Sequence, residues 1–255
     1  MNAHKRTGDG RSFPLRTIGI LRHYIDVARV ARLVEAGSFF HVTARGNYRQ
    51  NVFFSDQDRA EYLGLLAHHA ALEGLDILGR CCMTNHIHLL AVPQRRESLA
   101  RSMRRVQSDY SQRLNRRHGW RSGHLWQSRF YSCVASGDTA WTVLRYIELN
   151  PVRAHLVSRA ELSPWSSAAM HCGLQTTTPL LALAAWASEW SPSRWQSVLA
   201  LGEDEREFEA IRQATSHGLP YGDENFIADL ERRTGRDLRT KKMGRPPTLS
   251  SSTVA

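Results

Sequence analysis

The sequence contains no long apolar run and only four cysteines among its 255 residues. These two features argue against a membrane-spanning protein and against a disulfide-rich or zinc-binding one. No stretch reaches the roughly 20 consecutive apolar residues that a membrane-spanning helix requires. The first residues also lack the apolar segment and small-residue cleavage site of a signal peptide. The cysteines fit no zinc-binding spacing, so we expect reduced, mostly buried thiols in a cytoplasmic protein without a membrane partner. They are Cys81, Cys82, Cys133 and Cys172.

Acidic residues are also few relative to basic ones. Lys and Arg number 34 against 24 Asp and Glu, which gives a net charge of +10 and a pI near 10. The excess is concentrated between positions 95 and 129, where ten arginines face only Glu97 and Asp109 and no lysine occurs. Arginine favours planar, bidentate contacts with phosphate and stacks on rings. The charge therefore indicates a polyanionic partner, with nucleic acid ahead of an anionic membrane surface, and a nucleoid-associated location.

Hydrophobic patterning predicts the order strand, helix, strand, strand, helix, strand, helix. The first six elements follow the ferredoxin-like split β-α-β order, so we predict an α+β fold with an antiparallel sheet and helices on one side. In this topology the third strand is central. The predicted strands cover 39–45, 75–83, 86–92 and 129–135. We predict that Asp56 caps the first helix and that Glu97 or Ser98 opens the second. Asp138 is predicted to cap the third, which runs from Thr139 to about Leu149 and closes at Asn150-Pro151.

Three regions of the chain differ in composition and in hydrophobic patterning. We expect residues 28–172 to form the ferredoxin-like domain. Residues 1–27 have little pattern and are interpreted as a disordered or mis-called N-terminal arm. Residues 173–255 contain amphipathic and Ala-rich segments followed by basic and Ser/Thr-rich sequence, which predicts a helical appendage with a basic disordered tail.

The centre of the predicted site is the pair His86 and His88. Side chains alternate along a strand, so these two imidazoles lie on one face and Ile87 on the other. Two imidazoles can hold one metal ion while its remaining positions accept a third ligand, water and a phosphate oxygen, which suits Mg²⁺ or Mn²⁺. The alternative is a pair of polar residues on a half-exposed sheet face. A nucleotide hydrolase of the histidine-triad type is disfavoured because Leu90 stands where a further histidine would be needed.

Tyrosine is the best candidate nucleophile, since no Ser-His-Asp or Cys-His arrangement stands out. Tyr110 lies in the apolar stripe of its helix, so we expect it in the core. Tyr146 lies beside the stripe of its own helix, and Asn150 is one turn further on the same flank. The two could face the metal together as nucleophile and third ligand. The pattern fits a helix-anchoring role for Tyr146 equally well.

These residues resemble the single-tyrosine HUH transposases of the insertion-sequence type, and most closely the REP-associated tyrosine transposases. His86-Ile87-His88 matches the histidine–bulky hydrophobic–histidine motif that gives HUH enzymes their name. The resemblance covers about residues 30–172. Its matching stretches are 42–47, 83–90, 115–119, 123–130, 146–154 and 165–167.

The resemblance implies a transposase that is a metal-dependent single-stranded DNA endonuclease and strand transferase. Such enzymes cut near hairpin-forming palindromes, leave a 5′-phosphotyrosine link and free a 3′-hydroxyl. Tyr146 matches the attacking tyrosine, and His86 and His88 match ligands of Mg²⁺ or Mn²⁺. Asn150 matches the third ligand, where the insertion-sequence enzymes commonly have Gln. A catalytically idle DNA-hairpin-binding protein of the same fold is the alternative, and the chain could be a monomer or a homodimer.

Several polar side chains are expected to contact the DNA. For each single arginine, a solvated surface role is about as probable as contact. Trp120 and Trp126 could stack on unpaired bases, although core packing is the favoured interpretation for both. The predicted DNA-binding residues are Arg45, Asn47, Arg104, Arg105, Arg116, Arg117, Arg121, Arg129 and Arg153.

Overall fold

The computed structural model describes residues 32–120, 124–176 and 178–239, and all of them belong to one unit, Arg32–Ala255. The predicted N-terminal arm and the basic tail from residue 240 onward lie outside the described residues. Arg121 lies outside them as well.

Four strands in the described part of the chain form one antiparallel sheet with the order β2-β3-β1-β4. Strands β1 and β3 are therefore central, and the predicted ferredoxin-like α+β arrangement is confirmed. The strands are β1 Phe39–Arg45, β2 Leu75–Cys82, β3 His86–Pro93 and β4 Tyr131–Ala135.

The two faces of the sheet carry different helices. Helices α1 (Asp56–Glu73) and α2 (Ser98–Arg117) pack on each other and against the face that contains Ile87, as the split β-α-β order predicts. Helix α3 (Gly137–Arg153) covers the opposite face, which bears the histidines. The short α4 (Ala168–His171) follows α3.

The segment after α4 is helical, and it shares the α3 core. Its helices are α5 Ala184–Ala187, α6 Pro192–Ala200, α7 Glu205–His217 and α8 Glu224–Thr234. Helix α6 packs against α3, and α7 packs against β4 and β1. Trp195 and Phe208 from this segment lie in one buried cluster with Tyr146. Among the described helices, none is both long enough and apolar enough to span a bilayer.

Two helices are capped by a different residue from the one predicted. Ser55, not Asp56, caps α1, because its hydroxyl accepts the Asp58 amide while the Asp58 carboxylate accepts the Ser55 amide. Ser136, not Asp138, caps α3 by accepting the Thr139 amide. In both helices a serine one or two residues upstream has the extended backbone that a cap requires.

Helix α3 also continues past its predicted end and contains Pro151. Proline has no N–H, so the Ile147 carbonyl loses its usual helical partner. The Asn150 side chain replaces it, since Nδ2 donates to the Ile147 carbonyl at 3.3 Å and to the Tyr146 carbonyl at 2.9 Å. With these side-chain hydrogen bonds in place of the missing backbone bond, the helix extends to Arg153.

Candidate active site

Three histidines gather on the central strands. The rings of His86 and His88 lie 4.9 Å apart at an interplanar angle of 82°, so the predicted pair does occupy one face of β3. His41 of β1 stacks on His88 with centroids 5.1 Å apart and an angle of 8°. The β1–β3 register places Thr43 opposite His88 and Arg45 opposite His86. The face around the pair is thus polar and basic.

Each histidine of the pair has one ring nitrogen engaged by a neighbour. His86 Nδ1 is 2.6 Å from Asn85 Oδ1, and His88 Nδ1 is 2.9 Å from His41 Nε2. Burial lowers the pKa of His86 to about 4, with the Arg45 charge contributing. Burial also lowers the pKa of His88 well below its ordinary value, assisted by His86, His41 and nearby arginines. Both imidazoles are therefore neutral near pH 7, which is the form that binds metals.

Tyr146 packs directly against this histidine cluster. Its ring centroid lies 5.6 Å from that of His88 and 5.5 Å from that of His41, both edge-on, and Phe208 contacts its ring at 5.2 Å. The residue is only 3% exposed. Burial raises the pKa of the Tyr146 phenol, while the Arg153 guanidinium, 5.5 Å from the ring, opposes that shift. The phenol and the histidine pair share one site.

A cavity of about 400 Å³ opens at this cluster. Arg212 and Thr215 reach it from α7, so the C-terminal segment forms part of the wall. The Arg212 Nη1 atom is buried and has no hydrogen-bond partner within the described residues. The lining includes His41, Arg45, His88, Tyr146, Arg212 and Thr215.

The donor set suits a divalent metal ion. His86 and His88 offer two neutral imidazoles whose Nε2 atoms are not used by the hydrogen bonds above. Asn150 is buried one turn from Tyr146, and its amide nitrogen donates to carbonyls of α3. Its oxygen therefore points away from the helix backbone. Within the described residues no three His, Cys, Asp or Glu side chains form a metal-binding group.

The predicted DNA-binding residues fall into two groups. Arg45 lines the cavity, and Arg153 lies over the Tyr146 ring with its Nε 3.5 Å from Glu203. Asn47 begins a short 3-10 turn, Asn47–Arg49, that follows β1 on the His86 side. Arg129 is exposed just before β4.

The four arginines of α2 that were predicted to bind DNA are not brought to the histidine face, because α2 covers the other side of the sheet. Arg105 pairs with Glu73 at 3.0 Å, and Arg117 pairs with Asp58 and Glu61. The remaining two, Arg104 and Arg116, are exposed.

The aromatic predictions had mixed outcomes. Tyr110 is buried and its hydroxyl donates to the Val52 carbonyl at 2.6 Å, so its predicted core position is confirmed. Trp126 is buried and donates to the Gln107 carbonyl. Core packing was wrong for Trp120, which is 43% exposed just beyond the end of α2. There it stacks on His118 with ring centroids 4.7 Å apart.

Three residues of the site were missed at the sequence level. His41 could have been found, because strand alternation places it on the same face of β1 as Arg45. Arg212 and Thr215 lie on a helix expected to belong to an appendage, and no local signal links them to the histidines. Their role follows only from the packing of α7 on β1 and β4.

Residues 37–150, which contain both histidines, Tyr146 and Asn150, match the model of the family described as IS200-like transposases.

Two solved structures are similar to the chain. A REP-associated tyrosine transposase bound to a REP hairpin is 15% identical, with a TM-score of 0.49, over 60% of this chain and 90% of that one. A protein of Deinococcus radiodurans R1, solved as a proposed transposase, is 23% identical, with a TM-score of 0.30, over 56% and 96%. Curated proteins gave no match.

Proposed function

We propose that this protein is a transposase, acting as a metal-dependent single-stranded DNA endonuclease and strand transferase that cuts beside hairpin-forming palindromes. One observation carries the proposal: the Tyr146 ring lies 5.6 Å from His88 in a basic cavity of about 400 Å³. A nucleophile and a metal ligand at this separation can act on one phosphate. Both come from the same chain, so a monomer is sufficient for the chemistry, and its place of action would be the nucleoid.

The chemistry needs one bond made and one broken. Tyr146 gives up its phenolic proton and its oxygen attacks phosphorus. The bond from phosphorus to the 3′ oxygen breaks, and that oxygen takes up one proton to become the free 3′-hydroxyl, so no net proton is gained or lost. The 5′ side stays linked to tyrosine, and reversal joins strands. A Mg²⁺ or Mn²⁺ ion held by His86, His88 and Asn150 would polarise a phosphoryl oxygen.

The arginines around Tyr146 favour its reactive form. The charges of Arg153, Arg212 and Arg45 all lower the pKa of the phenol against the effect of burial. The same guanidinium groups can neutralise a phosphate that enters the cavity. The arginines therefore have two tasks in the proposed reaction, activation of the phenol and binding of the DNA backbone.

Unpaired bases next to the hairpin can stack on exposed aromatic rings. Trp120, His118 and Phe54 form one such surface, with Phe54 centroids 5.0 Å from His118 and 5.7 Å from Trp120. Tyr48 is a second exposed ring, in the turn after β1. Arg116 and Arg117 directly precede His118 in the sequence, and Arg49 directly follows Tyr48, so positive charge is available beside both surfaces.

The test is a covalent adduct that survives SDS. The protein is incubated with single-stranded hairpin DNA and Mg²⁺ or Mn²⁺. Wild type is expected to form the adduct, and Tyr146→Phe and His86→Ala are expected to lose it. Tyr131 lines the same cavity and supplies a matched control. If Tyr131→Phe abolished the adduct while Tyr146→Phe kept it, the nucleophile would be Tyr131.

The burial of Tyr146 is the observation that favours the second candidate, an idle hairpin-binding protein. Phe208 of α7 covers one side of the ring, and only 3% of the residue is exposed. Tight hairpin binding without any adduct, under conditions of saturating metal, would support this alternative. Adduct formation by wild type would reject it.

A further inference from the structure

We propose that Thr215 of α7 acts through His41 as a positioning residue that fixes the ring tautomer of His88 and thereby prepares the metal site. The inference rests on the proposed function, since it assigns a residue outside the matched segment 37–150 to the same site. It concerns which ring nitrogen carries the hydrogen, and it follows from the direction of successive hydrogen bonds.

The first step is the Thr215 hydroxyl. Its single hydrogen donates to the Ile211 carbonyl at 2.7 Å, within α7. The oxygen must therefore accept from its two other neighbours, His41 Nδ1 at 2.7 Å and Cys133 Sγ at 3.2 Å. One donor and two acceptor positions are the full capacity of a hydroxyl, so Thr215 is saturated and its polarity is fixed.

The second step is His41. Because Thr215 accepts, the hydrogen of the neutral His41 ring is on Nδ1, and Nε2 carries the lone pair. That lone pair faces His88 Nδ1 at 2.9 Å. His88 must then donate from Nδ1, which leaves its Nε2 unprotonated. This is the tautomer in which His88 can bind a metal through Nε2.

In the turn before β3, a second set of hydrogen bonds places the ring hydrogen of His86 on Nδ1 as well. Asn85 Nδ2 donates to the Arg49 carbonyl at 3.1 Å, which fixes the orientation of its amide. Asn85 Oδ1 then accepts from His86 Nδ1 at 2.6 Å, and His86 Nε2 is left free. Two unrelated supporting groups therefore select the same tautomer in both histidines, as a shared metal ligand requires.

Burial makes the Thr215 route effective. His41 and Thr215 are 1% and 3% exposed, so water does not compete for these hydrogen bonds. Arg45, Arg153 and Arg212 are the charged groups that face His88 and Tyr146 from the neighbouring elements. None of them offers a hydrogen-bond acceptor that could replace Thr215.

The test is metal affinity and tautomer, both measured without DNA. Thr215→Val keeps the shape but removes the hydroxyl, and we expect Mn²⁺ affinity in calorimetry to fall by roughly 10- to 100-fold. Thr215→Ser keeps the hydroxyl and should bind within about twofold of wild type. Gln213→Ala, on the exposed side of α7, is the control for a general effect on the helix. Unchanged Mn²⁺ affinity in Thr215→Val would overturn the proposal.

Nitrogen-15 NMR of labelled histidines tests the inference in the wild-type chain, even if Thr215→Val fails to fold. The expected spectrum shows the hydrogen on Nδ1 of both His41 and His88. A hydrogen on Nε2 of His41 would overturn the proposal. Because neither readout uses DNA cleavage, a wild type that forms no adduct but shows these tautomers would reject the endonuclease function and retain the role of Thr215.

Discussion

At the scale of single residues, Asn150 has two tasks that can be separated. Its amide nitrogen donates a hydrogen bond to the Ile147 carbonyl, which has no backbone partner because Pro151 lacks an N–H. Its oxygen is the proposed third metal ligand. Asn150→Ala removes both, so we expect a loss of about 1–2 kcal/mol in the free energy of unfolding and weaker Mn²⁺ binding. Urea denaturation and calorimetry measure the two effects.

Asn150→Asp separates the two tasks. The carboxylate cannot donate to the Ile147 carbonyl, so stability should fall as it does in Asn150→Ala, yet an oxygen ligand remains and Mn²⁺ binding should be kept or improved. If both variants lost stability while Mn²⁺ affinity stayed at the wild-type level in each, Asn150 would stabilise helix α3 and would not be a metal ligand.

Local pattern explains why part of the site was predictable. The positions of His86, His88 and Tyr146 depend on strand alternation and helical period, which involve only near neighbours in sequence. The contact between His41 and Thr215 joins residues 174 positions apart, and no pattern encodes it. The hydrogen bond from the Asn150 side chain to the Ile147 carbonyl is local but unusual. Without it, a helix is expected to stop at Pro151, and this is why the end of α3 was predicted there.

At the scale of elements, the approach of α3 to the sheet depends on Gly79 of β2. A Cβ at this position would overlap Leu144 Cδ1, and Leu144 is fully buried. Gly79→Ala should therefore push α3, and Tyr146 with it, away from the histidines. We expect a loss of about 1–3 kcal/mol in unfolding free energy and a lower yield of DNA adduct.

Gly64 supplies the matched control. It lies on α1 with open space around the added Cβ, so Gly64→Ala should stabilise the protein by about 0.5–1 kcal/mol and leave the adduct unchanged. Combining Gly79→Ala with Leu144→Ala should cost less than the sum of the two single changes. Full additivity would show that the overlap with Leu144 is not the cause.

The turn after β1 is a second element in which stability and function are expected to oppose each other. Tyr48 and Arg49 both have positive φ, 49° and 60°, although neither is glycine, and the Tyr48 side chain is 94% exposed. Tyr48→Gly should relieve strain and raise the free energy of unfolding by about 0.5–1 kcal/mol. It should also weaken single-stranded DNA binding by roughly tenfold, through loss of a stacking ring.

Fluorescence anisotropy with labelled hairpin DNA and urea denaturation measure these opposite effects. Tyr48→Phe keeps the ring and should keep the affinity. A Tyr48→Gly variant that bound DNA as tightly as wild type would remove this turn from the DNA-binding surface.

At the scale of the whole molecule, hydrogen bonds to the buried Glu148 carboxylate connect α3 to the helices that follow it. The sequence pattern does not predict these contacts. The Glu148 carboxylate accepts from Ser167, from His171 Nδ1 at 2.6 Å and from Trp195 Nε1 at 2.8 Å, and it is fully buried. Removing one partner of such a group leaves an uncompensated charge, which is strongly destabilising. The segment expected to be an appendage therefore holds the helix that carries Tyr146.

The buried histidines give the molecule a specific pH dependence. Burial lowers the pKa of His41 to about 3 and that of His86 to about 4, against an ordinary value of 6.5 that the unfolded chain would show. Below pH 6.5 the unfolded state binds protons that the folded state does not, so the free energy of unfolding falls as pH drops towards 3. Above pH 6.5 these groups contribute no slope.

Each buried neutral histidine can add up to about 1.4 kcal/mol per pH unit to this slope. Urea denaturation between about pH 8 and about pH 5 measures it, and His41→Gln should reduce the slope by close to one proton. Saturating Mn²⁺ binds only the folded chain and should raise stability about equally across this pH range, because protons compete for His86 in the folded chain only near pH 4. Equal slopes in wild type and His41→Gln would mean that His41 is protonated in the folded protein, which contradicts its neutral, buried state.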